Sequence, residues 1–147
     1  MLVDLAALSA DGLLGRGIAP DVAAAITAVT SADIIVASTP VYRATYSGLL
    51  KVFFDALPQD ALMGKVGVPI ATGAGPGHLL AVDHGLRPLF ASLGAVVVAT
   101  GTYGTDVQFR NGAPEAALVE RVNRAVSEAI TLASATCRTP GPSAAER

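Results

Sequence analysis

The chain holds one cysteine, Cys137, in 147 residues. It cannot form an internal disulfide, and a reducing, cytoplasmic setting is expected. Charge is scarce as well: 15% of residues are charged and the formal net charge is −2. Lysines and arginines are scattered with no basic run, so nothing points to a nucleic-acid partner. No apolar run reaches the roughly 18–20 residues of a membrane span. The opening MLVDLAALSADG carries Asp4 early and no basic stretch, unlike a secretory signal. The two histidines, His78 and His84, have no Cys, His or carboxylate cluster at ligand spacing, and no metal site is expected. Neither a nucleophile elbow nor a Ser-His-Asp set is readable, so no catalytic side chain is expected.

What is present is apolar and small. Hydrophobic residues make up 52%, which suits segments buried on more than one side and helices packed closely on a sheet. Residues 2–8 read as a strand and 11–17 as a loop. Pro20 and Asp21 open a helix with Val22, Ile26 and Val29 on one face. Ala32–Ala37 is short, continuous and β-branched, the pattern of a parallel strand covered on both faces. Ser47–Leu57 reads as a helix with Leu49, Leu50, Phe53, Phe54 and Leu57 together, ended by Pro58. Lys65–Thr72 and Ala95–Thr100 read as further strands.

His78–Leu93 reads as a long helix. Pro88 inside it cannot bond the carbonyl of His84, so a kink or π-bulge is expected there. The last helix runs from Glu115 to about Thr131, with Leu118, Val122, Val126 and Ile130 on its stripe. Strand and helix therefore alternate. That predicts a flavodoxin-like α/β sandwich with a parallel sheet, one domain over 1–135 and a flexible tail over 136–147.

In such sheets ligands sit at the carboxyl ends of the strands. Three segments fall there. Pro40, Val41 and Tyr42 form a corner where the strand must end, with Thr45 or Ser47 placed to cap the next helix. The corner suits a flat heteroaromatic ring, or is simply a capped turn covered by Tyr42. Gly73-Ala74-Gly75-Pro76-Gly77-His78 allows close backbone approach, with His78 at a helix start, or is a tight turn. It lacks the Lys-Ser/Thr of a Walker loop. In 101–110, Tyr103 is placed to stack on a ligand, or to cover a surface loop.

ADIIVASTPVYRATYSGLLKVFFDALP followed by LMGKVGVPIATGAGPGHLLAVDHGLRPLFASLGA resembles the NAD(P)H-dependent FMN reductases. The nearest branch is the small reductases that supply reduced FMN to alkanesulfonate monooxygenases. The likeness runs from residue 2 to about 130. It implies FMN and NAD(P)H as ligands, with Pro40, Val41, Tyr42 and Ser47 beside the flavin ring. Gly73, Ala74, Gly75, Pro76 and His78 would lie along the flavin's pyrimidine edge. It also implies a homodimer or homotetramer through the 78–93 helix, a flavin-dependent monooxygenase as partner, and hydride transfer that needs no acid or base from the protein. A quinone or azo-dye reductase of the same fold differs only in its acceptor. Arg43 reads as an exposed arginine or as a contact for a 2′-phosphate.

One departure stands out. Members of that family open with a strand and a G-S-x-R-x-x-S loop that holds the FMN phosphate, whereas Met1–Leu5 matches their second strand. The expectation is that strands at 2–8 and 33–38 lose a central neighbour and the phosphate loses its donors. Three explanations stand open: a start assigned too late, a truncated chain kept folded by a partner, or a strand at 2–8 that slides into the vacant place. A non-catalytic, oligomerising module without flavin is the alternative function.

Overall fold

The computed structural model describes residues 1–136. The last helix, expected to end near Thr131, runs on to Thr136, and the rest of the expected tail, Cys137 included, lies outside the described residues. Helices α1 (Ala10–Leu13) and α2 (Pro20–Ser31) precede the strand β1 (Ile34–Tyr42). The short β2 (Thr45–Tyr46), α3 (Gly48–Asp55) and β3 (Val66–Gly73) follow. Next come α4 (Arg87–Ala91), β4 (Val96–Val97), β5 (Thr102–Thr105), β6 (Phe109–Arg110), β7 (Ala113–Pro114) and α5 (Ala116–Thr136). β1 runs parallel to β3 in a register from Ile34 opposite Val66 to Pro40 opposite Thr72. β4 and β5 lie parallel to the start and the end of β3 on its other side.

The core has two halves, one on each face of the sheet. Phe53, Phe54, Leu62, Leu86 and Phe90 fill the first, where Phe54 and Phe90 meet edge to face at 5.5 Å. On the other face Val66, Val68 and Val98 receive Ala125 and Ala129 of α5. The alanines set this stripe. Of the larger residues expected on it, Leu118 is buried, Val122 and Val126 are half-buried, and Ile130 is exposed. Small side chains let α5 approach the sheet closely.

Several expectations are corrected. Residues 2–8 form no strand, neither at an edge nor beside β1. Leu5–Ala7 is a 3₁₀ turn whose Ala6 N–H donates to the Asp4 carboxylate at 3.0 Å. The segment satisfies its backbone locally and packs Val3, Leu5 and Leu8 on the core, leaving the outer edge of β1 unpaired before Val41. The 11–17 loop contains α1, capped by Ser9. β1 does not stop at Pro40. It continues to Tyr42 and turns back into β2, and proline is tolerated because β1 is an edge strand up to that point. β1 is also covered on one face rather than two: Ile35, Ala37 and Thr39 are buried, while Val36, Ser38 and Pro40 are exposed. The strand expected over 95–100 is reduced to β4, and Thr102–Thr105, expected as loop, forms β5. Leu49 is exposed rather than on the buried face of α3.

The helix expected over 78–93 is broken into pieces. Pro76–His78 is a 3₁₀ turn, Val82–Leu86 is a π-helix, and α4 follows. The π segment stands where Pro88 removes the donor that His84 would need, and Arg87 N–H bonds back to Val82 O. The Arg87 guanidinium then ties this helix to the sheet, donating to Asp83 at 2.7 Å, Val98 O at 2.5 Å and Ala99 O at 2.6 Å.

Candidate functional site

The β1–β3 register decides whether the two singled-out loops meet. Pro40 is opposite Thr72, and neighbouring strands lie about 4.8 Å apart. Val41-Tyr42 and Gly73-Ala74 therefore both follow that last pair, at a ledge formed by the carboxyl end of the sheet, and Ala44 and Thr45 line a common hollow with Gly77 and His78. Tyr42 is 65% exposed on this ledge.

Each element has a local cause. The corner is held by Thr39 and Ser47. The Thr39 hydroxyl accepts from Ser47 N–H at 3.0 Å and lies 3.1 Å from the Ser47 hydroxyl. The Ser47 hydroxyl oxygen accepts from Leu50 N–H at 3.2 Å and so caps α3. Ser47 is buried at 9% exposure and builds the corner from inside. The turn into β2 is made by Arg43 and Ala44 at φ 52° and 72°, the left-handed pair of a type I′ hairpin. Sequence reasoning missed this turn because its usual signal, Asn-Gly, is replaced by Arg-Ala.

The glycine loop divides by role. A side chain on Gly73 would collide with the Tyr103 hydroxyl, so Gly73 serves packing. Positions 75 and 77 have nothing within 4 Å of where a side chain would begin, and neither has positive φ. The fold does not demand glycine at these two places, and the space above them is open. Tyr103 does not stand free to stack: its hydroxyl donates to Gly75 O at 2.8 Å. His78 ends a 3₁₀ turn rather than opening a long helix, which removes the expected helix-start anion site. It lines a hollow of about 300 Å³ with Thr45, Gly77, His84 and Gly85.

Two larger spaces flank the ledge. Pro40, Tyr42 and Ser47 share a hollow of about 460 Å³ with Leu2–Ala6. Beyond Tyr103 and Pro76 lies a cleft of about 580 Å³, where Arg121 and Arg124 of α5 face Gln108 and Thr105. Arg121 Nε donates to Gly101 O at 2.7 Å. Among the described residues no three His, Cys, Asp or Glu side chains gather as metal ligands. No helix among them is long and apolar enough to cross a membrane.

A mostly parallel α/β sheet whose loops gather at the carboxyl ends of its strands defines the flavodoxin-like class of fold, in which ligands bind at that end. Residues 1–109 match the family described as NADPH-dependent FMN reductase, and the chain belongs to it. An FMN reductase (NADPH) of Pseudomonas putida is 38% identical over 117 residues, which cover 78% of this chain and 59% of the relative. An FMN reductase (NADPH) of Escherichia coli is 48% identical over 77 residues, 52% of this chain and 40% of the relative. The chain thus spans about half the length of these curated relatives. The solved structure of an NADH:FMN oxidoreductase in its apo form superposes with a TM-score of 0.79 at 35% identity, covering 94% of this chain and 72% of that one.

FMN has two ends, and the residues suit them unequally. Toward the isoalloxazine ring, Tyr42 and Val41 offer apolar surface, and the glycine loop offers backbone with open space at positions 75 and 77 but not at Gly73. The phosphate finds less. The hollow beside Pro40 and Ser47 is walled by Leu2, Val3, Asp4, Leu5 and Ala6, four apolar residues and one acid. No basic side chain lines this hollow to offset a dianion's charge, and its hydroxyls come from Ser38, Tyr42 and Ser47.

Proposed function

We propose that the protein acts as an NAD(P)H-dependent FMN reductase that delivers reduced flavin to a partner monooxygenase. The observation that carries this reading is the carboxyl end of the sheet, where Pro40 pairs with Thr72 and the two adjacent strands lead on to the exposed Tyr42 and to the open positions 75 and 77. When bound, FMN would supply the redox chemistry, taking up hydride from a reduced nicotinamide. The chain's own part is positional. Pro40, Val41 and Tyr42 border the ring, Ser47 fixes their corner, and the backbone of Gly73, Ala74, Gly75 and Pro76 meets its pyrimidine edge, with His78 at the rim. No side-chain acid or base is required, because orientation and water exclusion suffice for a direct transfer. Family relatives are named for NADPH and a structural neighbour for NADH, so either donor is compatible.

Leu79, Leu80 and His84 are exposed along the broken helix, which supports self-association through 78–93 as a dimer or tetramer. A cytoplasmic location accords with a freely exchanged flavin product. The test follows NAD(P)H absorbance with added FMN. Turnover that depends on FMN supports the reading, and its absence at saturating FMN removes it.

The apolar wall of Leu2–Ala6 favours one second reading, an oligomerising module that holds no flavin. Quenching of flavin fluorescence separates the two. Binding at a Kd of about 1 μM, roughly −8 kcal/mol, excludes the module.

A further inference from the structure

We infer that Tyr103 is a positioning residue for the flavin's pyrimidine edge, acting through Gly75. The inference rests on the flavin reading above and adds a residue that touches the loop rather than the ring. The loop that meets the ring needs an anchor. Ala74, Pro76, Gly77 and His78 are all exposed, and Pro76 has no N–H to contribute. Leu79 N–H donates to Pro76 O at 3.2 Å within the turn itself. The tether from outside is the Tyr103 hydroxyl, which donates to Gly75 O at 2.8 Å.

Tyr103 is well placed for this. It lies on β5 opposite Ala71 of β3, a parallel neighbour whose register is fixed by four residue pairs. Its ring sits over Gly73, where a side chain would displace it. The hydroxyl therefore reaches Gly75 from a rigid strand with its ring already held in place. Gly75 is extended, at φ −153° and ψ 177°, and its carbonyl is drawn toward β5. That peptide continues into Pro76 and has no donor to offer a ligand, so its carbonyl would otherwise be free to turn an acceptor toward the ring. Holding it aside leaves the rest of the loop backbone to face the flavin. Glycine at 73 and tyrosine at 103 thus form one device, with the space left by the first occupied by the second.

The test uses Tyr103→Phe, which keeps the ring over Gly73 and removes only the hydroxyl. Amide exchange in the unliganded protein should rise about tenfold in the 74–79 segment and stay unchanged in β1 and the first half of β3. FMN and riboflavin should both bind about three- to tenfold more weakly, by the same factor, because the loop meets the ring and not the phosphate. KM for FMN should rise with kcat unchanged at saturation. A tyrosine that merely filled space would show none of these changes. Wild-type exchange in the segment, or wild-type affinity for both flavins, overturns the inference alone. If the unsubstituted protein binds neither flavin, the functional reading fails together with the inference's claim on the ring.

Discussion

The ring of Phe90 lies against the backbone of Gly67, its Cδ1 atom 2.6 Å from where a side chain on that glycine would begin. Phe90 is fully buried, and Gly67 sits in the strand that carries the ledge. Gly67→Ala should therefore cost about 1–3 kcal/mol through overpacking. Denaturant unfolding measures it. Phe90→Leu in the same background should recover part of the loss, and strict additivity of the two changes would show that the contact is not the cause.

At the glycine loop the prediction reverses. Gly75→Ala and Gly77→Ala meet open space and should leave stability within about 0.5 kcal/mol. Flavin affinity should nevertheless fall about tenfold, since the added methyl would occupy the room above the loop. Calorimetry and fluorescence titration on the same samples separate the effects. Unchanged affinity in both variants would mean that no ligand approaches there.

The Arg43-Ala44 turn stores strain, because two residues with side chains hold positive φ. Ala44→Gly should stabilise the protein by about 1 kcal/mol, seen as a higher urea midpoint at constant slope. A loss of stability would imply that Ala44 makes a contact worth more than the strain.

Glu128 on α5 holds the linker between β4 and β5. Its carboxylate accepts from Thr100 N–H at 2.8 Å and from the Thr100 hydroxyl. These bonds, the side-chain one first, with Arg124 adding a smaller attraction, keep its pKa below the ordinary glutamate value. The contribution to stability is complete above the unfolded-state value and is lost as pH falls through the lower folded-state value. Between about pH 7 and pH 3 the wild type should lose more stability than Glu128→Gln, and parallel urea midpoints for the two would refute the assignment.

Residue patterning made the Pro20–Ser31 helix, the helix after the corner and the central strand legible, but not the break-up of 78–93. Val66–Gly73 and Pro20–Ser31 lie within a residue or so of where residue patterning puts them, and Pro88 located the π-helix because a missing donor has a fixed geometric consequence. Residues 2–8 were not legible, since a short apolar run does not show whether it will pair as a strand or, as here, turn on an Asp4 cap and pack Val3, Leu5 and Leu8 on the core. The break between β4 and β5 was hidden for another reason: the apolar run Ala95–Ala99 drew the strand to itself, while TYGT, which forms β5, lacks an apolar run. At the candidate site, residue pattern singled out the loops at the strand ends but not their internal wiring. Ser47 as a buried cap and Tyr103 as a tether both depend on partners 8 and 28 residues away.

The π segment has a further effect on how this chain should be compared with others. Val82–Leu86 accommodates one more residue than an ordinary turn without rotating Leu89 and Phe90 out of the core. A relative with a plain helix there must align with a one-position gap inside 82–86, and a gap drawn anywhere else would pair interior residues of one chain with surface residues of the other.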